Sequence, residues 1–205
     1  MKKYNKKDYL YISIFIIFIL GYILVLNLNG YLFASKIDWA NQHAIIPDYF
    51  RKLFYNTYNL FPTFAFNLGM GQNIYNFSYY GLYSPIILLS YILPFIKMEI
   101  YIQLASISSL IISIIMFYKW TKKKYNQNIA FITSLIFMLN ATFIYHFHRH
   151  IMFVIYMPFM LGALKSIDLY LEEKKPLPLI IFTSLLIFTS YYFSVHGIIV
   201  LIIYT

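Results

Sequence analysis

The residues of this chain that could do chemistry gather in two places. The first is KIDWANQHAIIPDYFRKLFYNTYNLFPTFAFNLGMGQNIYNFSYYGLYSP, Lys36 to Pro85, which holds Asp38, Gln42, His43, Asp48 and Arg51. The second is His146-Phe-His-Arg-His150. A carboxylate can orient or deprotonate a hydroxyl, and a guanidinium can hold a phosphate at two points. Each residue also has a plainer reading. Asp38 could cap a helix or pair with Lys36, and Asp48 could cap the next helix or pair with Arg51 or Lys52. His148, Arg149 and His150 could be polar groups at a helix end, solvated by headgroups and water. His43 beside Asp38 supplies two ligands of the kind a metal takes, without a third. Gly69-Met-Gly71 lacks a preceding strand and a third glycine, so it is no dinucleotide fingerprint.

The elements that must position these groups are apolar. The chain is 61% hydrophobic and 11% charged, with a mean hydropathy of +0.67. That is more apolar surface than a soluble core of 205 residues needs, so the class is an all-α polytopic membrane protein. The net charge of +9 does not point to nucleic acid. Lys2, Lys3, Lys6 and Lys7 precede one apolar run, and Lys119, Lys122, Lys123 and Lys124 follow another, which is the pattern of cytoplasmic flanks. The absence of cysteine removes disulfides and thiol catalysis.

Spans are expected at 9–28, 99–118, 129–145, 151–170 and 179–204, as one membrane domain over 1–205 with its N-terminus in the cytoplasm. An uncleaved anchor fits 9–28 better than a signal peptide, because the apolar run is long and no small-x-small site follows it. Residues 29–98 then form a large outer loop. In it, Asp48 to Thr57 has an apolar stripe that suits an interfacial helix. The run 82–96 is short and carries Pro85 and Pro94. If it crossed, Lys119–Lys124 would fall outside, so it is expected to be re-entrant or interfacial. Five crossings result, and Asp38, His43, Asp48, Arg51, His148, Arg149 and His150 all meet at the outer face. The chain stops inside an apolar run, from which we expect the N-terminal part of something longer.

Asp38-Trp39 with Gln42-His43, Phe66-Asn67-Leu-Gly-Met-Gly71, Ser78-Tyr79-Tyr80 with Ser84-Pro85, Met157-Pro158 and Tyr191-Tyr192-Phe193 together resemble the YfhO family of bacterial membrane proteins. That family sits with the GT-C glycosyltransferases. The resemblance implies a GT-C-like helical bundle whose first outer loop carries a catalytic aspartate, by position Asp38. It implies a sugar donor on polyprenyl phosphate, a lipoteichoic or wall teichoic acid acceptor, and a bacterial plasma membrane. On this reading Arg149, with His148, His150, His43, Gln42 and Arg51, would bind donor phosphate or substrate, and Asp48 is a possible second carboxylate. No cofactor and no metal is expected, although a divalent ion is compatible with the residues. Trp39 and Tyr79 could stack on a sugar. The alternative is a non-enzymatic protein, such as a lipid-linked sugar flippase or a transporter. A transporter should carry ionisable groups at mid-membrane on several helices, whereas here they collect at one face.

Overall fold

A computed structural model describes residues 5–28, 38–146 and 149–205. It is almost entirely helical. Among the described residues, three helices are long and apolar enough to cross a membrane: α1, Lys6–Leu28; α4, Met98–Lys124; and α7, Ile151–Glu173. The protein is therefore an all-α polytopic membrane protein. Between the first two lie α2, Ile45–Thr57, and α3, Pro85–Leu89. After them come α5, Gln127–Met138; α6, Ala141–His146; α8, Leu177–Thr189; and α9, Tyr191–Tyr204.

α7 is the axis of the bundle. Its residues Ile151, Met152, Val154, Ile155 and Ala163 are fully buried, and it packs along both α4 and α8. α1 stands at the outside, with Phe15 and Ile19 buried and most of the rest of its surface apolar and exposed. That is the surface a helix turns to lipid. Gly162 lets α7 and α8 approach closely: a Cβ there would lie 2.3 Å from Cδ1 of Phe182.

Lys6 and Lys7 at the start of α1 and Lys122–Lys124 at the end of α4 lie at one end of this bundle. Lys122 at the end of α4 pairs with Asp8 at the start of α1 at 2.6 Å. Tyr118 donates to the same carboxylate at 2.7 Å and Gln127 at 2.9 Å. Lys124 pairs with Asp168 of α7 at 3.0 Å, to which Trp120 donates at 2.6 Å. The ends of α1, α4, α5 and α7 are thus fastened together by charge.

Two of the expected spans are broken. Residues 129–145 are interrupted at Leu139–Asn140, where the Asn140 side chain accepts from the Phe143 backbone N–H at 2.9 Å and starts α6. Residues 179–204 are not one outward crossing. The chain turns at Ser190, whose backbone is extended (φ −163°, ψ 115°) and whose hydroxyl caps α9 by accepting from the Phe193 N–H. α9 then folds back beside α7. Phe193 meets Phe153 and Tyr156, Gly197 lies against Leu186 and Met160, and Tyr204 donates to Asp168 at 2.6 Å. Helices of 13 and 14 residues reach only about 20 Å each. The pair is a hairpin that rises from the lysine end and returns to it, so residues 179–204 form two antiparallel helices in place of the one expected.

The segment 82–96 contains no helix long enough to cross. α3 has five residues, and a 3₁₀ turn, Ser90–Ile92, follows it. The amphipathic α2 holds this segment in place: Arg51 donates to the Ile96 carbonyl at 2.9 Å, and the Tyr55 hydroxyl to that of Tyr91. Between α2 and α3, a two-residue antiparallel ladder pairs Phe64 with Asn73 and Ala65 with Gln72. Its turn needs left-handed backbone, which Gly71 supplies at φ +90°.

Candidate functional site

At the end away from the lysines, Asp38 opens a five-residue π-helical turn, Trp39–His43. Such turns are wider than an α-helical turn and recur at functional sites. The Asp38 side chain does not cap this turn. Its Oδ2 faces Nε2 of His150 at 3.7 Å instead. His150 is the residue before α7, so the outer loop and the bundle axis each contribute one partner. Lys36, the other sequence-level partner for Asp38, lies outside the described residues, as does His148.

Rings pack outward from this pair. His43 lies 5.5 Å from His150 and 5.8 Å from Tyr80, centre to centre. His146 lies 5.3 Å from His150 on the other side. Gln42 accepts from the Tyr80 hydroxyl at 2.9 Å, which ties the π-helical turn to the 3₁₀ turn Ile74–Tyr80. Tyr79, next in that turn, meets Tyr191 and Tyr192 of α9, each at 6.3 Å. Among the described residues, the Nδ1 atoms of His43, His146 and His150 are buried without a hydrogen-bond partner.

Burial sets the protonation states. His43 is 1% exposed, and desolvation, aided by nearby His150 and opposed by Asp38, pushes its pKa down to about 4. It is therefore neutral at physiological pH. The Tyr79 phenol is pushed up to about 12 by burial, and then by Tyr80, Tyr192, Asp38 and Tyr191. Tyr80 moves up for the same reasons, burial first and then Asp38 and Tyr191. Two phenols, Tyr79 and Tyr80, thus sit within the electrostatic reach of one carboxylate.

The expected site residues divide into three groups. Asp38, Gln42, His43 and His150 come together. Arg149 is exposed beside them; its guanidinium lies over the Tyr145 ring at 4.4 Å and donates to the Tyr145 hydroxyl at 2.9 Å. It lines a shallow pocket of about 480 Å³ with Tyr22, Leu139, Ala141, Ile144 and Tyr145. Asp48 and Arg51 do not join the cluster. They pair with each other at 2.9 Å, Asp48 also pairs with Lys52 at 2.7 Å, and Arg51 is spent on the carbonyls that anchor the segment after α3. Trp39 is 1% exposed, so its ring belongs to the core and is not free to stack on a sugar. No set of three or more His, Asp or Glu side chains among the described residues is arranged to hold a metal ion.

Sequence reasoning missed Tyr80 as a neighbour of Asp38, and Tyr191 and Tyr192 as neighbours of Tyr79. The signal for the last two was Ser190, a capping residue inside an apolar run. The family model for the bacterial membrane protein YfhO matches residues 9–205. No curated protein and no solved structure matches the chain.

Proposed function

Given that the chain belongs to the YfhO family of bacterial membrane proteins, we propose that it is a GT-C-type glycosyltransferase working at the outer face of the plasma membrane. It would move a sugar from polyprenyl phosphate to a teichoic-acid-type polymer. The observation that carries this reading is Asp38. It sits on a π-helical turn at the end opposite Lys7 and Lys122, does not cap that turn, and faces His150 across 3.7 Å. With the lysines in the cytoplasm, this end is the outer one.

The residues have separate tasks in such a transfer. Asp38 takes the proton of the acceptor hydroxyl as its oxygen attacks the anomeric carbon of the donor sugar. A carbon–oxygen bond to the acceptor forms, and the bond from the anomeric carbon to the phosphate oxygen breaks. Polyprenyl phosphate leaves with the electron pair. Arg149 is shaped to hold that phosphate, and the exposed apolar wall of its pocket suits a prenyl chain lying in the bilayer. An Nε2–H of His150 can point at Asp38 and keep one carboxylate oxygen turned toward the substrate.

Asp38→Asn is the test. Asn keeps the shape and loses the basicity, so transfer to a teichoic-acid-type acceptor should fall by about 100-fold or more. Protein level and membrane insertion should not change. Near-normal transfer by the full-length Asp38→Asn protein would remove the catalytic role from this residue.

A further inference from the structure

Resting on the transferase reading above, we propose that Tyr79, Tyr80, Tyr191 and Tyr192 form the surface that binds the hydroxyl-rich, polyol or sugar part of the acceptor. Two of these tyrosines come from the outer loop and two from the hairpin apex, more than a hundred residues later. They meet only because the chain turns at Ser190. Tyrosines of an interfacial belt need one apolar neighbour and one wet tip, and have no need of one another. Here Tyr79 stands edge-on to Tyr80 at 5.2 Å, and to Tyr191 and Tyr192 at 6.3 Å.

Their position relative to Asp38 assigns the ligand. Ring contacts run from Tyr145 to His146, to His150, to His43, to Tyr79, and on to Tyr191 and Tyr192. Arg149 lies on Tyr145 at the first end of this series, and Asp38 pairs with His150 inside it. A displacement at the anomeric carbon needs the acceptor and the leaving phosphate on opposite sides of the transferred sugar. With phosphate at the arginine end, the tyrosine end is left for the acceptor.

The chemistry of the surface fits that task. Tyr191 and Tyr192 are more than half exposed, so their rings and hydroxyls are open to a ligand. Aromatic faces pack against the C–H bonds of sugars and polyols, and phenols exchange hydrogen bonds with their hydroxyls. Tyr79 stays protonated at any physiological pH, so it can donate as well as accept.

The probe is fluorescent poly(glycerol phosphate), its binding to the full-length protein in detergent followed by anisotropy. Tyr79→Phe and Tyr192→Phe should each weaken binding about fivefold, the loss of one hydrogen bond. Tyr192→Ala should weaken it more than tenfold. Tyr125→Phe, an exposed tyrosine at the lysine end, should change nothing. Binding of undecaprenyl phosphate should be the same in all four variants. The assignment is overturned if wild type fails to bind the polymer, if the Phe variants bind it normally, or if their defect is in undecaprenyl phosphate instead. Phe keeps the ring and its packing, so an unchanged melting temperature separates loss of contact from loss of fold. Asp38→Asn separates the two readings. Polymer binding without any Asp38-dependent sugar transfer would keep this surface and sink the transferase.

Discussion

The two ends of the bundle treat their polar groups in opposite ways. At the lysine end, Asp8 is fully buried and its carboxylate takes hydrogen bonds from Lys122, Tyr118 and Gln127. Asp168 is bonded by Lys124, Trp120 and Tyr204. At the other end, Asp38 faces His150 at 3.7 Å, and three imidazoles each keep a buried nitrogen without a partner among the described residues. A buried polar atom left unpaired costs free energy, so a fold keeps it only where something else requires it. The paired end is built to hold helices together. The other end holds three imidazole nitrogens that a bound ligand would satisfy.

The comparison requires that the ends lie on opposite faces of a membrane, and labelling tests this in an all-or-none way. Single cysteines at Asn59 and Lys97 should react with an impermeant thiol reagent from outside. Cysteines at Asn126, Lys175 and Thr205 in the full-length chain should react only from inside. Outside labelling at position 205 would restore a fifth crossing and undo the hairpin. Outside labelling at position 126 would put both ends on one face.

Exchanging the two aspartates sharpens the contrast next. Asp38→Asn should remove activity and leave the melting temperature unchanged. Asp8→Asn should do the reverse, costing about 2–3 kcal/mol of stability by weakening charge-assisted hydrogen bonds. Equal loss of stability in both would erase the distinction. Arg149 comes third. Its replacement by Ala should raise the donor lipid concentration needed for half-maximal transfer about 30-fold, with Lys in between, because Lys keeps the charge and loses the two-point contact. Unchanged donor dependence would return Arg149 to the role of a solvated helix end.

The smallest effect concerns pH. His43 has its pKa lowered from 6.5 to about 4 by burial, so the folded state binds fewer protons than the unfolded one. Its contribution to stability is therefore complete above about pH 6.5 and declines as pH falls toward 4. Between pH 7 and 5.5 the decline should be about 1 kcal/mol, and His43→Gln should remove it from the pH profile of the melting temperature. A profile that keeps its slope in His43→Gln would place the titration elsewhere.

How far the sequence could be read depended on the kind of signal. Lysines beside apolar runs predicted which helix ends meet, because that charge rule acts on flanks and needs no packing. Asp38, Gln42 and His43 stood out as polar residues in an apolar setting, and the structure gathers them with His150. Asp48 and Arg51 stood out equally, yet pair with each other. Their i,i+3 spacing had already offered that pairing as the plainer reading, and the structure makes it. The breaks at Asn140 and Ser190 were hidden by hydropathy, which averages over a window and passes across one capping residue. Tyr191 and Tyr192 were therefore placed midway along one crossing and not at the apex of a hairpin. Nothing local could bring them to Tyr79; only packing against α7 does so.

The hairpin also changes how thick this side of the protein is. Helices of about 20 Å fall roughly 10 Å short of the hydrocarbon layer. A bilayer meeting so short a wall thins beside it or admits water above it. A leaflet thinned over Tyr191 and Tyr192 would let a water-soluble polymer descend to the depth of a lipid phosphate without itself entering hydrocarbon.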